Sequence, residues 1–127
     1  VDYARACVLL AVLERRAGLQ LSGQDVFLNV AGGVRLDEPA ADLAIACAIA
    51  SSFQEFPIPR ETILLGEIGL GGEVRGVSHL ETRLREAAKL GFRQAYLPAD
   101  TAPLPVVGPD LTLLPVRTLP EALDKLR

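Results

Sequence analysis

The sequence is poor in the residues on which metal binding and base stacking most often depend. Its 127 residues include no Trp, no Met, one His, two Cys, four Phe and two Tyr. So few aromatic side chains would supply a base-stacking surface poorly. The single His79 has no Cys close to it in sequence, and a zinc site needs about four N, S or O ligands. We therefore interpret His79 as an ordinary residue of a first helical turn and predict no metal site.

The cysteines and the apolar runs exclude two further classes of protein. Cys7 and Cys47 lie in the runs ACVLLAVL and LAIACAIA, where a thiol acts as a small hydrophobe rather than as part of a disulfide framework. No signal peptide is present, and no apolar stretch reaches the roughly 20 residues of a membrane span. These absences indicate a cytoplasmic protein without a membrane partner. Because the chain opens on Val1 without Met, we expect a fragment of a longer protein.

The sequence also has no excess of positive charge, since its formal net charge is −3. A protein that binds nucleic acid on its own is usually basic, so the charge argues mildly against that role. Lys89 and Lys125 are the only lysines among 13 basic residues, and Arg is the better residue for bidentate pairing with carboxylate or phosphate. Half of the residues are hydrophobic, which is enough for residues 1–127 to bury the core of a single domain.

The hydrophobic pattern predicts an α/β protein whose sheet is of mixed direction, with helices packed on it. Residues 71 and 72, both Gly, predict the turn of a hairpin. Ser78 with Glu81, and Thr118 with Glu121, have the spacing of capping boxes. The predicted helices cover residues 2–17, 39–53, 78–90 and 118–127, and the predicted strands cover residues 25–31, 62–70, 73–77, 93–98 and 111–116.

The stretch LDEPAADLA, residues 36–44, has the composition of a helix start. Pro39 suits the first helical position, and Asp37, Glu38 and Asp42 place negative charge near the positive end of the helix dipole. The three acids are interpreted as structural capping, with an interface to a partner's Arg and general acid–base chemistry as alternatives. Asp42 enters an otherwise apolar helix, so we expect it to have a partner, either a nearby Arg or a neighbouring subunit.

Nucleotide-binding and nucleophile patterns are weak. GEIGLGGEVRG is glycine-rich but lacks both the phosphate-loop and the dinucleotide-binding spacing. A thiol dyad of Cys47 with His79 is conceivable, although Cys47 lies mid-helix among apolar residues, where a thiolate is disfavoured. The candidate hydroxyl nucleophiles are Ser22, Ser51, Ser52 and Ser78.

A run of basic residues follows in the predicted third helix and just beyond it. Arg83, Arg85, Lys89 and Arg93 are near helical spacing, and Glu81 with Arg85 is an i,i+4 pair. The plain interpretation is a solvated helix face. The alternative is a strip that binds phosphate or a partner, joined by Arg75 from the hairpin.

Two segments resemble the Lon-protease-like fold, an α/β fold also described as ribosomal protein S5 domain 2-like. They are NVAGGVRLDEPAADLAIACAIASS and LGEIGLGGEVRGVSHLETRLREAAKLGFRQAYLP. In Lon-type peptidases the first segment carries the nucleophilic Ser and the second carries the Lys base. Asp37 and Pro39 match that pattern, but Ala40 stands at the Ser position and Glu81 at the Lys position. The resemblance implies a peptidase fold with no catalytic residue, in which Asp42 stands where the peptidases use Gly.

The runs covering residues 28–44 and 66–75 are similar to the C-terminal domain of the bacterial RadA (Sms) family of DNA repair ATPases. The resemblance implies a zinc-finger segment and a RecA-like ATPase core upstream, which would hold the ATP, Mg and Zn, and no cofactor in this domain. It also implies a non-catalytic scaffold for a homohexameric ring acting in homologous recombination and branch migration, with no small-molecule substrate. DNA contact is expected through Arg75, Arg83, Arg85 and Arg93.

Two alternatives to this role stay open. One is an active Lon-type peptidase that uses other residues. The other is the Lon-like module of a magnesium-chelatase-like competence helicase, which the sequence upstream of Val1 would distinguish.

Overall fold

The computed structural model describes residues 3–18, 39–101 and 103–127. The predicted strand over 25–31, as well as Asp37, Glu38 and Ser22, lies outside these ranges. The described elements are α1 (Tyr3–Arg16), a 3₁₀ turn (Pro39–Ala41), α2 (Asp42–Gln54), β1 (Thr62–Leu64), β2 (Glu67–Ile68), β3 (Val74–Arg75), α3 (Leu80–Lys89), β4 (Gln94–Pro98), β5 (Thr112–Val116) and α4 (Leu119–Leu126).

The strands form two separate sheets. A three-stranded sheet has the order β1-β4-β5, and both of its pairings are parallel. β2 and β3 pair antiparallel as a short hairpin. The predicted α/β class with helices packed on a sheet is confirmed. The described strands do not form the single sheet of mixed direction that the sequence predicted, because the antiparallel pair is separate from the parallel sheet.

Side chains alternate between the two faces of the parallel sheet, and each face has its own core. Leu64, Tyr96 and Val116 point to one face and pack with buried residues of α1, α2 and α4, and we call this the three-helix face. Ala95 and Leu97 point to the other face and pack with Leu84 of α3. We call this second face the α3 face.

The first predicted helix is confirmed over Tyr3–Arg16. Leu9 and Leu13 are completely buried, as expected for a helix with an apolar centre. The chain leaves the helix at Gly18, whose φ of 75° is the left-handed conformation that glycine adopts readily after a helix end.

The prediction of one strand over residues 62–70 is wrong, because that run contributes to two sheets. β1 ends at Leu64 and pairs with β4, whereas β2 begins at Glu67 and pairs with β3. Gly66 lies at the break, where an added Cβ would be 2.6 Å from Cγ1 of Val74. Pairing with distant segments therefore divides a run that local β propensity alone would keep continuous.

The predicted turn of the hairpin is confirmed at the two glycines after Leu70. Gly72 has a φ of 83°, and its N–H donates to the carbonyl of Gly69 at 2.9 Å. The carbonyl of Gly72 accepts from Leu119 at 2.8 Å, so the hairpin is also bonded to the start of α4.

The two predicted capping boxes have different outcomes. The box of Ser78 with Glu81 is wrong, because α3 begins at Leu80 and its N-cap is His79, which has a φ of 55° and makes no side-chain cap bond. The Thr118 cap is confirmed, since its Oγ1 accepts from the Glu121 N–H at 3.2 Å. The Glu121 carboxylate accepts from the N–H of Arg117 at 2.7 Å, one residue before the cap.

Candidate functional site at the start of α2

The 3₁₀ turn and the first turn of α2 are bonded to the connection between β1 and β2. Ala40 is only 5% exposed, and its carbonyl accepts from the N–H of Gly66 at 3.1 Å. The N–H of Leu43 donates to the carbonyl of Gly66 at 3.0 Å. The first N–H groups of a helix have no acceptor within the helix. The carbonyl of Gly66 therefore serves as an external acceptor for the N–H of Leu43.

Asp42 adds a third bond between the same two segments. It is 1% exposed, and its Oδ2 accepts from the N–H of Ile68 in β2 at 3.0 Å. We expected a nearby Arg or a neighbouring subunit as its partner, and the contact described here is instead with a backbone amide. The carboxylate also lies in the first turn of α2, where the helix dipole favours negative charge. Asp42 is therefore an interior structural group of this domain.

Gly66 is central to this site, and the sequence did not predict that role. It belongs to the stretch on which the resemblance to the Lon-protease-like fold is most specific, but nothing there distinguished its role from that of the second glycine in GEIGL. Its N–H donates to the carbonyl of Ala40 in the 3₁₀ turn and its carbonyl accepts from Leu43 of α2, and an added Cβ would be 2.6 Å from Cγ1 of Val74. A larger residue at this position would therefore force its neighbours to shift.

The position that the resemblance assigns to the Lys base of a peptidase lies in a different environment. Glu81 is on α3 with a side chain 56% exposed, and its Oε1 accepts from Nη2 of Arg85 at 2.6 Å. The predicted i,i+4 pair is thereby confirmed. Ala40 offers no side-chain oxygen and Glu81 offers no amine, so these two positions do not form a Ser–Lys pair.

The other candidate nucleophiles are either engaged or have no described activating partner. The Ser51 hydroxyl donates to the carbonyl of Phe56, and both Ser52 and Ser78 are exposed. Burial raises the pKa of the Cys47 thiol to about 12, so at neutral pH it stays protonated and is a poor nucleophile. Within the described ranges no three His, Cys, Asp or Glu side chains are grouped so that they could hold a metal ion.

The four arginines predicted to contact DNA are each engaged with an oxygen of this chain. Ion pairs join Arg75 to Glu73 at 3.2 Å, Arg85 to Glu81 at 2.6 Å and Arg93 to Glu61 at 2.8 Å. Nε of Arg83 donates to the carbonyl of Ser78 at 2.7 Å. Arg83 and Arg85 are two positions apart on α3, so they do not share one face of that helix.

Glu73 organises the hairpin from which Arg75 projects. Its Oε1 accepts from the N–H of Gly71 at 3.0 Å, and its Oε2 pairs with Arg75. Hydrogen bonds from its own backbone amide, from Gly71 and from the Arg75 guanidinium hold the pKa of the Glu73 carboxyl below its ordinary value, against an opposing effect of desolvation. The hairpin tip is therefore held by a charged group that stays ionised at neutral pH.

The sequence is similar to one protein family and to several DNA repair proteins. The family described as "Subunit ChlI of Mg-chelatase" matches residues 4–101. The DNA repair protein RadA of Streptococcus pneumoniae is 46% identical over 126 residues, which is 99% of this chain and 30% of the relative. That of Listeria monocytogenes is 44% identical over 98% of this chain and 27% of the relative. That of Bacillus subtilis is 56% identical over 78% of this chain and 22% of the relative.

The chain thus spans less than a third of the length of these relatives. Among the helices of the described ranges, none is long and apolar enough to cross a membrane.

Proposed function

This chain belongs to the protein family of the ChlI subunit of Mg-chelatase and to the bacterial RadA proteins, and from that premise we propose that it is a non-catalytic assembly domain of a DNA repair ATPase. The parent would be a ring-forming cytoplasmic motor that acts in homologous recombination and branch migration. Its upstream domains would bind ATP, Mg and Zn. The domain described here would hold the subunits of the ring together and contact DNA.

The observation that carries the proposal is the state of the Lon-like site. By the resemblance, Ala40 stands where related peptidases keep their serine. Ala40 is 5% exposed, and its carbonyl accepts from the N–H of Gly66. The surrounding bonds from Gly66 and Ile68 still fix the start of α2 in place. A site that has no reactive groups but retains its frame supports a structural role over a catalytic one.

Peptide digestion tests the absence of catalysis. We expect no cleavage of casein or of a fluorogenic peptide library by the full-length protein. Cleavage that disappears when Ser22, Ser51, Ser52 or Ser78 is replaced by Ala would instead establish the alternative of an active peptidase. A preparation carrying Ala at all four positions serves as the control for contaminating proteases.

Sedimentation of the full-length protein tests the assembly role. We expect ring-sized species whose population increases with protein concentration. A strictly monomeric full-length protein would contradict the proposal.

DNA contact is proposed for Arg75, Arg83, Arg85 and Arg93. Charge reversal of each, in the full-length protein, should weaken DNA binding and reduce the slope of log affinity against log salt by about 1 for each phosphate that is no longer neutralised. Arg60 is exposed and lies outside the proposed set, so Arg60→Glu is the matched control. An unchanged slope in all four variants would remove DNA contact from the proposed role.

The match to the ChlI family favours one second candidate, a Lon-like module of a magnesium-chelatase-like competence helicase. The two candidates differ in domain order. A RecA-like core encoded before Val1 supports the RadA-type role, and a motor domain encoded after residue 127 supports the helicase.

A further inference from the structure

β5 lies at an edge of the parallel sheet, since among the described strands it pairs only with β4. An edge strand presents unpaired N–H and C=O groups, to which a strand of another molecule can add. Residues 111–116, LTLLPV, carry no charge and are mostly apolar. Short uncharged segments of this kind pair edge to edge when nothing blocks them, so the chain needs a means of closing this edge.

The backbone of β5 bonds to β4 at every second residue. The N–H of Thr112 donates to the carbonyl of Arg93 at 2.9 Å, and the carbonyl of Val116 accepts from the N–H of Ala99 at 2.9 Å. The even-numbered residues of β5 therefore face β4, as in a regular parallel ladder. The odd-numbered residues direct their backbone groups toward the open edge instead.

Most of these outward backbone groups are either missing or already bonded. Pro115 has no N–H to offer. Just beyond the strand, the N–H of Arg117 donates to Oε1 of Glu121 at 2.7 Å, and the carbonyl of Arg117 accepts from the N–H of Val74 in β3 at 2.8 Å. Leu113 is therefore the one residue of β5 whose N–H faces the open edge.

We propose that Pro115 closes the edge of β5 to strand addition, with β3 and the Glu121 carboxylate closing the chain just beyond it. An added strand would bond to every second residue of β5, and at Pro115 it would meet a pyrrolidine ring in place of a donor. At Arg117 it would find both backbone groups occupied. The single donor of Leu113 is too little to hold a strand, since even a complete two-stranded pairing is marginal in water.

Closure of this edge has a consequence for association. It prevents the sheet from pairing with the sheet of another copy or with an extended segment of another protein. It does not depend on the proposed assembly role. It also gives Glu121 a second task, because the same residue that follows the Thr118 cap occupies an outward donor at the edge.

Pro115→Thr in the full-length protein tests the closure. The substitution restores an N–H at an exposed position of the edge and adds a β-branched side chain, which suits a strand. Sedimentation velocity over a range of concentrations should show species larger than those of the native protein, in a fraction that increases with concentration. Pro103→Thr makes the same chemical change at an exposed proline outside β5 and should leave the size distribution as in the native protein.

Hydrogen exchange shows whether such association uses the edge. In the native protein the amide of Leu113 should exchange rapidly, whereas that of Leu114, which faces β4, should exchange slowly. In the Pro115→Thr protein, association should slow exchange at Leu113 by about tenfold or more, the factor expected for one added hydrogen bond. Exchange at Leu114 should stay as slow as in the native protein, because the fold is retained.

Three results would overturn the proposal. The first is a native protein whose Leu113 amide is as protected as that of Leu114, because the edge would then already be paired. The second is a Pro115→Thr protein that retains slow exchange at Leu114 and the native size distribution. The third is association of that variant without slower exchange at Leu113, because the contact would then lie elsewhere.

Discussion

The starts of α2 and α3 contain the two positions that the resemblance to Lon-type peptidases assigns to a dyad, and the structure gives them very different environments. The start of α2 is buried and receives two bonds involving Gly66 and one from Ile68. The start of α3 is exposed, begins at a left-handed His79, and has no side-chain cap. Its Glu81 makes only a surface ion pair. The start of α2 is thus part of the buried core, whereas the start of α3 is exposed surface.

This difference shows that the backbone bonds at the start of α2 do not depend on a reactive side chain at position 40. Ala40 carries no side-chain oxygen, yet the backbone bonds at the start of α2 are complete. Those bonds join α2 to the hairpin, and they stabilise the domain whether or not a nucleophile is present. The following substitutions test that contrast, from the largest expected effect to the smallest.

Asp42→Ala should be the most damaging change at either helix start. The substitution removes a buried, charged acceptor of the Ile68 N–H, and we expect a loss of about 2–4 kcal/mol in the free energy of unfolding. Urea unfolding followed by circular dichroism measures it. Asp42→Asn, which retains an acceptor oxygen, should lose less, and equal losses for Ala and Asn would argue that the hydrogen bond is not the cause.

Gly66→Ala should cost about 1–3 kcal/mol, because the new methyl group would overlap Cγ1 of Val74. Val74→Ala removes that atom, so the double variant should be less destabilised than the sum of the two single changes. Gly76→Ala is the control, since its added Cβ meets nothing within 4 Å. Strict additivity of the changes at positions 66 and 74 would show that the close approach is not the constraint.

The two predicted capping boxes give a smaller contrast. Thr118→Ala removes an observed N-cap and should cost about 1 kcal/mol. Ser78→Ala should change stability by less than about 0.5 kcal/mol, since Ser78 is exposed and its side chain does not cap α3. Thermal unfolding of both variants side by side checks the pair. A larger effect for Ser78→Ala would mean that α3 is capped in solution by the box that the sequence predicted.

Burial of Cys47 predicts an effect that is confined to high pH. The pKa of its thiol is raised to about 12 from an ordinary value of 9.0, so the unfolded chain loses this proton before the folded one does. Stability should therefore be unaffected below pH 9 and should fall as the pH rises above it. Alkylation at pH 8, followed by mass spectrometry of the peptide containing Cys47, should show modification only after unfolding. Rapid labelling of the native protein would mean that α2 opens readily.

Local signals predicted most helices and the central strands, and tertiary contacts decided the rest. The apolar centre of α1 with Gly18 after it, and the Thr118 cap of α4, are encoded within a few residues. The division of residues 62–70 into β1 and β2 depends on pairing with β4 and β3, which propensity does not report. The failed Ser78 cap has a similar origin, because the backbone of His79 takes a conformation that sequence spacing does not reveal.

The candidate site was also predicted in part from the sequence, and the rest depends on tertiary contacts. Resemblance located Ala40 and Glu81, and burial of a charge in an apolar helix predicted that Asp42 needs a partner. The identity of that partner, the amide of Ile68, depends on how α2 meets the hairpin. The central place of Gly66 depends on the same approach of the two segments.

Amide hydrogen exchange by NMR tests most directly whether the start of α2 is a structural frame. The N–H groups of Leu43, Gly66 and Ile68 should exchange only with global unfolding, because each is bonded in the buried junction. Those of Glu81 and Thr82 should exchange much faster, since they lie in the uncapped, exposed first turn of α3. Exchange of the Ile68 amide at the rate of the α3 amides would contradict the account.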